Sequence, residues 1–164
     1  FESAGKAIEI DLNNREAQVV YSEALAATKG VLVGIDYLER LVNTYPTITE
    51  YRMGLGQLYL KDQNYNRALQ LFNQVAKLED KPKKALIEIG KIYQIQKMRE
   101  EAKENYFKAA TLDPSDVEPL FLAGTLFLEA GQPSEAREQF QRVLRVNPDY
   151  PLVNYYLGSA ALQM

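Results

Sequence analysis

Apolar and polar residues in this chain never alternate with period two over a stretch long enough for a strand, so no sheet is expected. What recurs has a longer period. Gly56, Gly90, Gly124 and Gly158 stand 34 residues apart, and Ala68, Ala102 and Ala136 keep the same interval. Two aromatic series share it: Tyr59, Tyr93 and Phe127, then Phe72, Tyr106 and Phe140. Pro46, Pro114 and Pro148 fall in the same register, with Asp80 in the slot between. Self-similarity at a fixed period of this length predicts a stack of helical units, each too small to bury its apolar face alone.

The recurring residue types fit paired helices. A glycine inside a helix costs about 1 kcal/mol relative to alanine, so its periodic retention needs a packing reason. Gly90 on a first helix and Ala102 on a second are read as the place where the two backbones approach. Tyr93 and Phe127 then fill the space between one hairpin and the next, and the prolines close the second helices. Thr47 with Glu50 reads as a capping box, and Asp116 and Asp149 as N-caps before Val117 and Tyr150. Gln132-Pro133 opens a helix with proline at its first position.

The segment Leu55-Gly56-Gln57-Leu58-Tyr59, followed by Ala68 and Phe72, resembles the hairpin signature of the tetratricopeptide repeat family. The third repeat carries the resemblance furthest: Leu86, Ile89, Gly90, Tyr93, Ala102, Tyr106, Ala109 and Pro114 occupy all eight signature positions. It covers the whole chain and implies an all-α fold, a right-handed superhelical solenoid of antiparallel helix hairpins. The repeats are then 15–48, 49–82, 83–116 and 117–150. Residues 1–14 become the remnant of a preceding second helix, and 151–164 the first helix of an incomplete repeat. Repeat one departs most, with Ser22 and Gly34 at the two small positions and Leu25 where an aromatic is expected. Leu157, Ala161 and Leu162 show none of the polar character of a capping helix, so a longer parent array is expected.

The resemblance also implies a function, the binding of a protein or peptide in a concave groove lined by the first helices. Repeat positions two, five, nine, twelve and thirteen would point into it. Position five holds Val19, Met53, Ile87, Phe121 and Tyr155, and position twelve holds Ala26, Leu60, Gln94, Leu128 and Leu162. These lie seven residues apart and share one helix face. Position nine, between them, is mostly polar: Glu23, Gln57, Lys91, Thr125 and Ser159. The candidate partner-binding residues are therefore Met53, Gln57, Leu60, Ile87, Lys91, Phe121, Thr125, Leu128 and Tyr155. Two apolar stripes with a polar seam suit an amphipathic helix or an extended peptide with apolar anchors. The same stripes also read as packing positions partly covered by neighbouring hairpins. Lys81, Lys83, Lys84 and Lys91 form a small basic cluster, read either as solvated surface or as a contact for an acidic partner. The clamp that some family members use for a chaperone's C-terminal carboxylate is not expected. Its slots hold Val19, Glu23, Gly54, Lys84 and Glu88, of which Lys84 alone suits a carboxylate.

Composition narrows the chemistry. A net charge of −3 offers no basic excess for nucleic acid, and the longest apolar runs are too short for membrane insertion. With no cysteine and no histidine, thiolate chemistry and the commonest general base and metal ligand are gone. The pairs Glu100/Glu101 and Glu135/Glu138 are expected on outward faces, and Gly54-Leu55-Gly56 sits mid-helix, where it cannot act as a phosphate loop. No catalytic residue, metal or cofactor is expected, and the chain reads as a scaffold or adaptor, for instance in a bacterial assembly or secretion apparatus. Two other readings stay open: end-to-end self-association through uncapped ends, and the substrate-recruiting arm of a larger enzyme.

Overall fold

In the computed structural model, which describes residues 14–164, nine α-helices succeed one another and the described residues contain no strand. They are α1 Arg15–Lys29, α2 Val31–Thr44, α3 Thr49–Lys61, α4 Tyr65–Leu78, α5 Lys83–Ile95, α6 Arg99–Leu112, α7 Glu118–Glu129, α8 Pro133–Val146 and α9 Val153–Gln163. Apart from Asn14, the expected helix remnant at 1–14 lies outside the described residues. The chain divides into two units, one running to Asp80 with α1–α4 and one from Lys81 with α5–α9. In the first unit each helix packs on the next, and α1 also meets α3. In the second the same succession runs from α5 to α9, with α7 touching α9.

Local chemistry sets where helices begin, and it differs in part from the expected caps. Asn14 starts α1 by accepting the Ala17 N–H at 3.0 Å, and Asn64 starts α4 through the Arg67 N–H at 3.3 Å. Asp116 accepts the Glu118 N–H at 3.0 Å, although the N-cap residue itself is Val117. The Thr47–Glu50 capping box does not form. The N-cap of α3 is Ile48, without a side-chain bond, and Glu50 is drawn to Arg15 at 3.3 Å. Nor does Asp149 cap a helix. The chain runs on to Leu152, in the left-handed region at φ 65°, before α9 begins. Pro133 does open α8 as its first residue.

The turn inside each later hairpin repeats with the period of the sequence. Gln63, Lys97 and Gly131 all adopt positive φ, at 58°, 63° and 71°. In each case the following N–H reaches five residues back, at Asn64 to Tyr59, Met98 to Tyr93 and Gln132 to Phe127, over 2.8 to 2.9 Å. The positive-φ residue donates three residues back, at 3.0 Å each. This pair of bonds satisfies the last carbonyls of the first helix and favours glycine at the left-handed residue. Only the third turn has it.

The periodic glycines have a packing reason, and it is not the one the sequence suggested. A Cβ built on Gly56, Gly90 or Gly124 would lie 2.5 Å from the ring of Phe72, Tyr106 or Phe140 respectively. Each ring stands sixteen residues on, in the second helix of the hairpin, and is fully buried. The glycine thus makes room for a ring and not for the backbone around Ala102. The first hairpin solves the problem the other way. Ser22 stands in the glycine slot and Leu38 in the ring slot, both fully buried, and the Ser22 hydroxyl donates to the Val19 carbonyl at 2.6 Å. There the backbones do approach, since a Cβ on Gly34 would meet the Ser22 carbonyl oxygen at 2.6 Å. On α9, Gly158 has nothing within 4 Å.

Turn and seat each carry a stability prediction. Gln63→Gly and Lys97→Gly should each raise the unfolding free energy by about 1 kcal/mol, because the left-handed strain is relieved. Gly90→Ala should lower it by about 1–3 kcal/mol through overpacking, whereas Gly158→Ala should raise it by up to about 1 kcal/mol through helix propensity. Urea unfolding followed by circular dichroism measures both, and a Gly90→Ala midpoint equal to or above the parent's would contradict the ring-seat account.

Candidate binding faces

On the first unit the candidates lie on α3, where Met53, Gln57 and Leu60 follow one another at helical spacing. Gln57 is exposed, and Met53 and Leu60 are half-buried. Met53 sits beside Gly54, at which the adjoining α1 packs: a Cβ on Gly54 would meet Val19 at 2.8 Å. Arg15 of α1 and Glu50 of α3 pair across these helices at 3.3 Å.

On the second unit the candidates come from α5, α7 and α9. Ile87 is only 4% exposed, so its side chain belongs to the packing and offers little surface. Lys91 is half-buried and already engaged, with Glu88 at 3.1 Å and Glu118 of α7 at 3.3 Å. Burial alone would pull the Lys91 pKa down, but the two carboxylates outweigh it and the net shift is upward. Phe121 is half-buried at the centre of an aromatic cluster, with ring centroids 5.8 Å from Phe140, 5.2 Å from Tyr150 and 5.3 Å from Tyr156. Thr125 donates to the Leu122 carbonyl of its own helix at 2.8 Å, and Leu128 packs against the core around Phe140. Tyr155, edge-on to Tyr156, is 72% exposed. The structure therefore joins Lys91 to α7 through Glu118, and Phe121 to α9 through Tyr156. At the expected apolar position twelve Gln94 is a relay, accepting the Tyr106 hydroxyl and donating to Glu129, each at 2.8 Å.

The basic cluster is largely internal to the second unit. Lys83 bridges Asp113 at 2.8 Å and Asp116 at 2.7 Å, tying the start of α5 to the loop after α6. The Lys83 ammonium, helped by the Ser115 hydroxyl, holds Asp113 well below the usual carboxylate range. In return Asp113, then Asp116, push the Lys83 pKa up. With Lys91 paired as well, two of the four lysines already have carboxylate partners.

Two further hollows lie on the second-helix side, and sequence reasoning missed both. In the first unit one of about 340 Å³ is lined by Glu39, Leu55, Tyr59, Arg67 and Gln74 among others. There Tyr59 donates to Glu39, and Arg67 donates to the Tyr59 oxygen at 3.1 Å with its guanidinium 5.6 Å from the ring centroid. In the second unit another of about 340 Å³ has Phe107, Leu120 and Val146 with Arg142 and Arg145. Each hollow draws its lining from three successive helices, and only the stacking of hairpins assembles it. Among the described residues no group of three or more carboxylates is placed to hold a metal ion. No described helix is long and apolar enough to cross a membrane.

Comparison with known sequences decides the family. Family models described as "Tetratricopeptide repeat" match residues 49–82, 84–116 and 121–163. The chain belongs to the tetratricopeptide repeat family. Its helices and its solved relatives make it an all-α helical-repeat solenoid. This tetratricopeptide-repeat chain is similar to TTC0263, a thermophilic TPR protein in Thermus thermophilus, with 18% identity and TM-score 0.81 over 97% of this chain and 87% of that one. It is similar to YrrB, described as a TPR protein with an unusual peptide-binding site, with 18% identity and TM-score 0.68 over 97% of this chain and 82% of that one. Mus musculus protein O-mannosyl-transferase TMTC1 is 23% identical over 92% of this chain, which spans 16% of that relative's length. Tetratricopeptide repeats as a family mediate contacts between proteins.

The Lys83 bridge gives a prediction about charge. Lys83→Met should return Asp113 toward the ordinary carboxylate range, read by carboxylate NMR titration. The sign for stability follows: a depressed carboxylate pKa contributes above the unfolded-state value and loses that contribution as pH falls through the folded one. The parent should accordingly lose stability on acidification more steeply than Lys83→Met, and equal acid slopes would refute the bridge.

Proposed function

We propose that the chain is a protein-binding module whose first-helix faces take a peptide with spaced apolar anchors. The observation that carries this reading is the α7–α9 face, where half-buried Phe121 and Leu128 flank the polar Thr125 and Tyr155 stands 72% exposed. Lone exposed apolar residues are ordinary, but here the exposed Tyr155 ring stands edge-on to Tyr156, which in turn packs on Phe121 and Phe140. On the first unit, Met53 and Leu60 with Gln57 offer the same alternation on α3. Lys91, held between Glu88 and Glu118, would position the polar seam, and Ile87 would support it from beneath. YrrB, which has the same fold, is described as having a peptide-binding site, and this agrees with the reading.

Binding, and not catalysis, is the role the side chains support. Glu100 is exposed and paired with Lys103, and Glu135 and Glu138 are exposed on α8. A second reading has one observation behind it. The relative named as an O-mannosyl-transferase matches this chain over 16% of its own length, which suits an array acting as the recruiting arm of a larger enzyme.

Selection from a random-peptide phage library on the 164-residue chain tests the first reading. Enriched peptides should carry apolar anchors at helical or extended spacing. Their affinity should fall about tenfold or more in Thr125→Arg, which puts a bulky charge into the seam, a loss of about 1.4 kcal/mol. Lys108→Glu, on an exposed face of α6, should leave it unchanged. Peptides indifferent to both Thr125→Arg and Gln57→Arg would end the reading.

A further inference from the structure

The two hollows on the second-helix side occupy the same place in the repeat, and their chemistry differs. Glu39, Val42, Asn43 and Gln74 of the first stand two periods before Phe107, Ala110, Thr111 and Arg142 of the second. The first supplies its own counter-charge. Glu39 accepts the Tyr59 hydroxyl and pairs with Arg67 at 3.5 Å, so acid and base meet inside it. In the second, Phe107 takes the position of the acid, and the cations are Arg142 and Arg145. Among the described residues no carboxylate pairs with either arginine, and Arg142 donates to the neutral Gln139 at 2.8 Å. The acids close by are taken: Asp113, beside the Pro114 edge, by Lys83 and Ser115, and Glu104 by Lys108. Around the arginines the lining is apolar. Phe107 and Ala110 are half-buried, and Val146, next to Arg145, is 51% exposed. A cation in the last turn of a helix is favourable without any ligand, so Arg145 alone would carry nothing. Two unpaired guanidinium groups one turn apart beside an apolar hollow of about 340 Å³ are a different matter.

We propose that this hollow between α6 and α8 takes an acidic, apolar-anchored segment of a partner protein. One leucine or phenylalanine of the segment lies against Phe107, Leu120 and Val146, and flanking aspartates or glutamates reach Arg142 and Arg145. The absent counter-charge specifies the acid, because a guanidinium binds a carboxylate through two parallel hydrogen bonds. The lining specifies the anchor, since a small site gains affinity from apolar contact and orientation from a few polar groups. Recognition is local, for a chain of net charge −3 has no general attraction for acids. The walls of the hollow, α6 and α8, are the second helices of two complete hairpins. In the 34-residue register a further second helix would stand to α8 as α8 stands to α6, on the side of α8 away from the hollow. The surface therefore belongs to the stacking of hairpins already in place, and it is separate from the first-helix faces around Thr125.

The test uses a fluorescein-labelled peptide with one leucine between two pairs of aspartates in a glycine–serine frame, titrated against the whole chain by fluorescence anisotropy. Saturable binding is expected, weakening as salt is raised. It should fall about tenfold or more in the double variant Arg142→Glu, Arg145→Glu. The same loss is expected when the peptide's aspartates become asparagines, and when its leucine becomes serine. Both arginines are exposed, so the double variant should keep the helical signal, and the two altered peptides test the same contacts with the protein unchanged. Arg99→Glu with Arg137→Glu shifts the net charge equally at exposed positions outside the hollow and should leave the binding unchanged. Thr125→Arg should leave it unchanged too, which separates this surface from the first-helix face. No saturable binding overturns the proposal. Equal losses in the two charge-reversed proteins overturn it as well, by making the attraction a general one, and so does full binding of the peptide without leucine.

Discussion

The fold depends on one contact repeated in each later hairpin, an aromatic ring pressed against a helix that has no side chain at that point. Gly56, Gly90 and Gly124 leave a hollow, and Phe72, Tyr106 and Phe140 fill it at distances that a Cβ would forbid. Each glycine weakens its own helix by about 1 kcal/mol. The buried ring more than offsets this, since removing such a side chain from a core costs about 3–5 kcal/mol. The contact also fixes how the two helices of a hairpin lie against each other, and with them which first-helix residues are left facing out. Which first-helix residues stay exposed is therefore a by-product of where rings find room.

Much of this was legible because period survives where detail does not. Glycine, alanine and ring positions at intervals of 34 give the helices, their pairing and the family directly. Spacing alone could not say what each glycine was for. Gly90 and Ala102 suggested backbones in contact, and the true neighbour of Gly90 is the Tyr106 ring, sixteen residues away and not twelve. The Thr47–Glu50 capping box failed for a similar reason. Thr47 and Glu50 fit a local motif, but Arg15 lies 35 residues from Glu50 and competes for its carboxylate. Of the turns inside the three later hairpins, Gly131 alone advertised its left-handed backbone, while Gln63 and Lys97 adopt it without any sequence signal.

The candidate site was legible in outline and not in depth. Positions five and twelve do share a helix face, but the sequence could not rank them by exposure. Ile87 and Tyr155 hold the same slot, and one is 4% exposed and the other 72%. The difference comes from what covers each helix. Charge reads the same way: four lysines close in sequence look like a basic patch, yet Lys83 and Lys91 are bound by carboxylates, most of which arrive from beyond their own helix. Long-range partners decide the electrostatics of a stacked array, and a linear reading sees only the near ones.

The first hairpin shows the same problem solved with the volumes exchanged, Ser22 with Leu38 in place of glycine with a ring. The two solutions are joined by two substitutions, and the order in which they are made matters. Adding a side chain first drives it into an aromatic ring that close packing holds in place. Shrinking the ring first leaves a void, which weakens the hairpin but keeps its geometry. An evolving repeat can therefore pass from one pair to the other through the loosened intermediate and not through the crowded one. Drift at these two sites is coupled and directional, even though they sit on different helices.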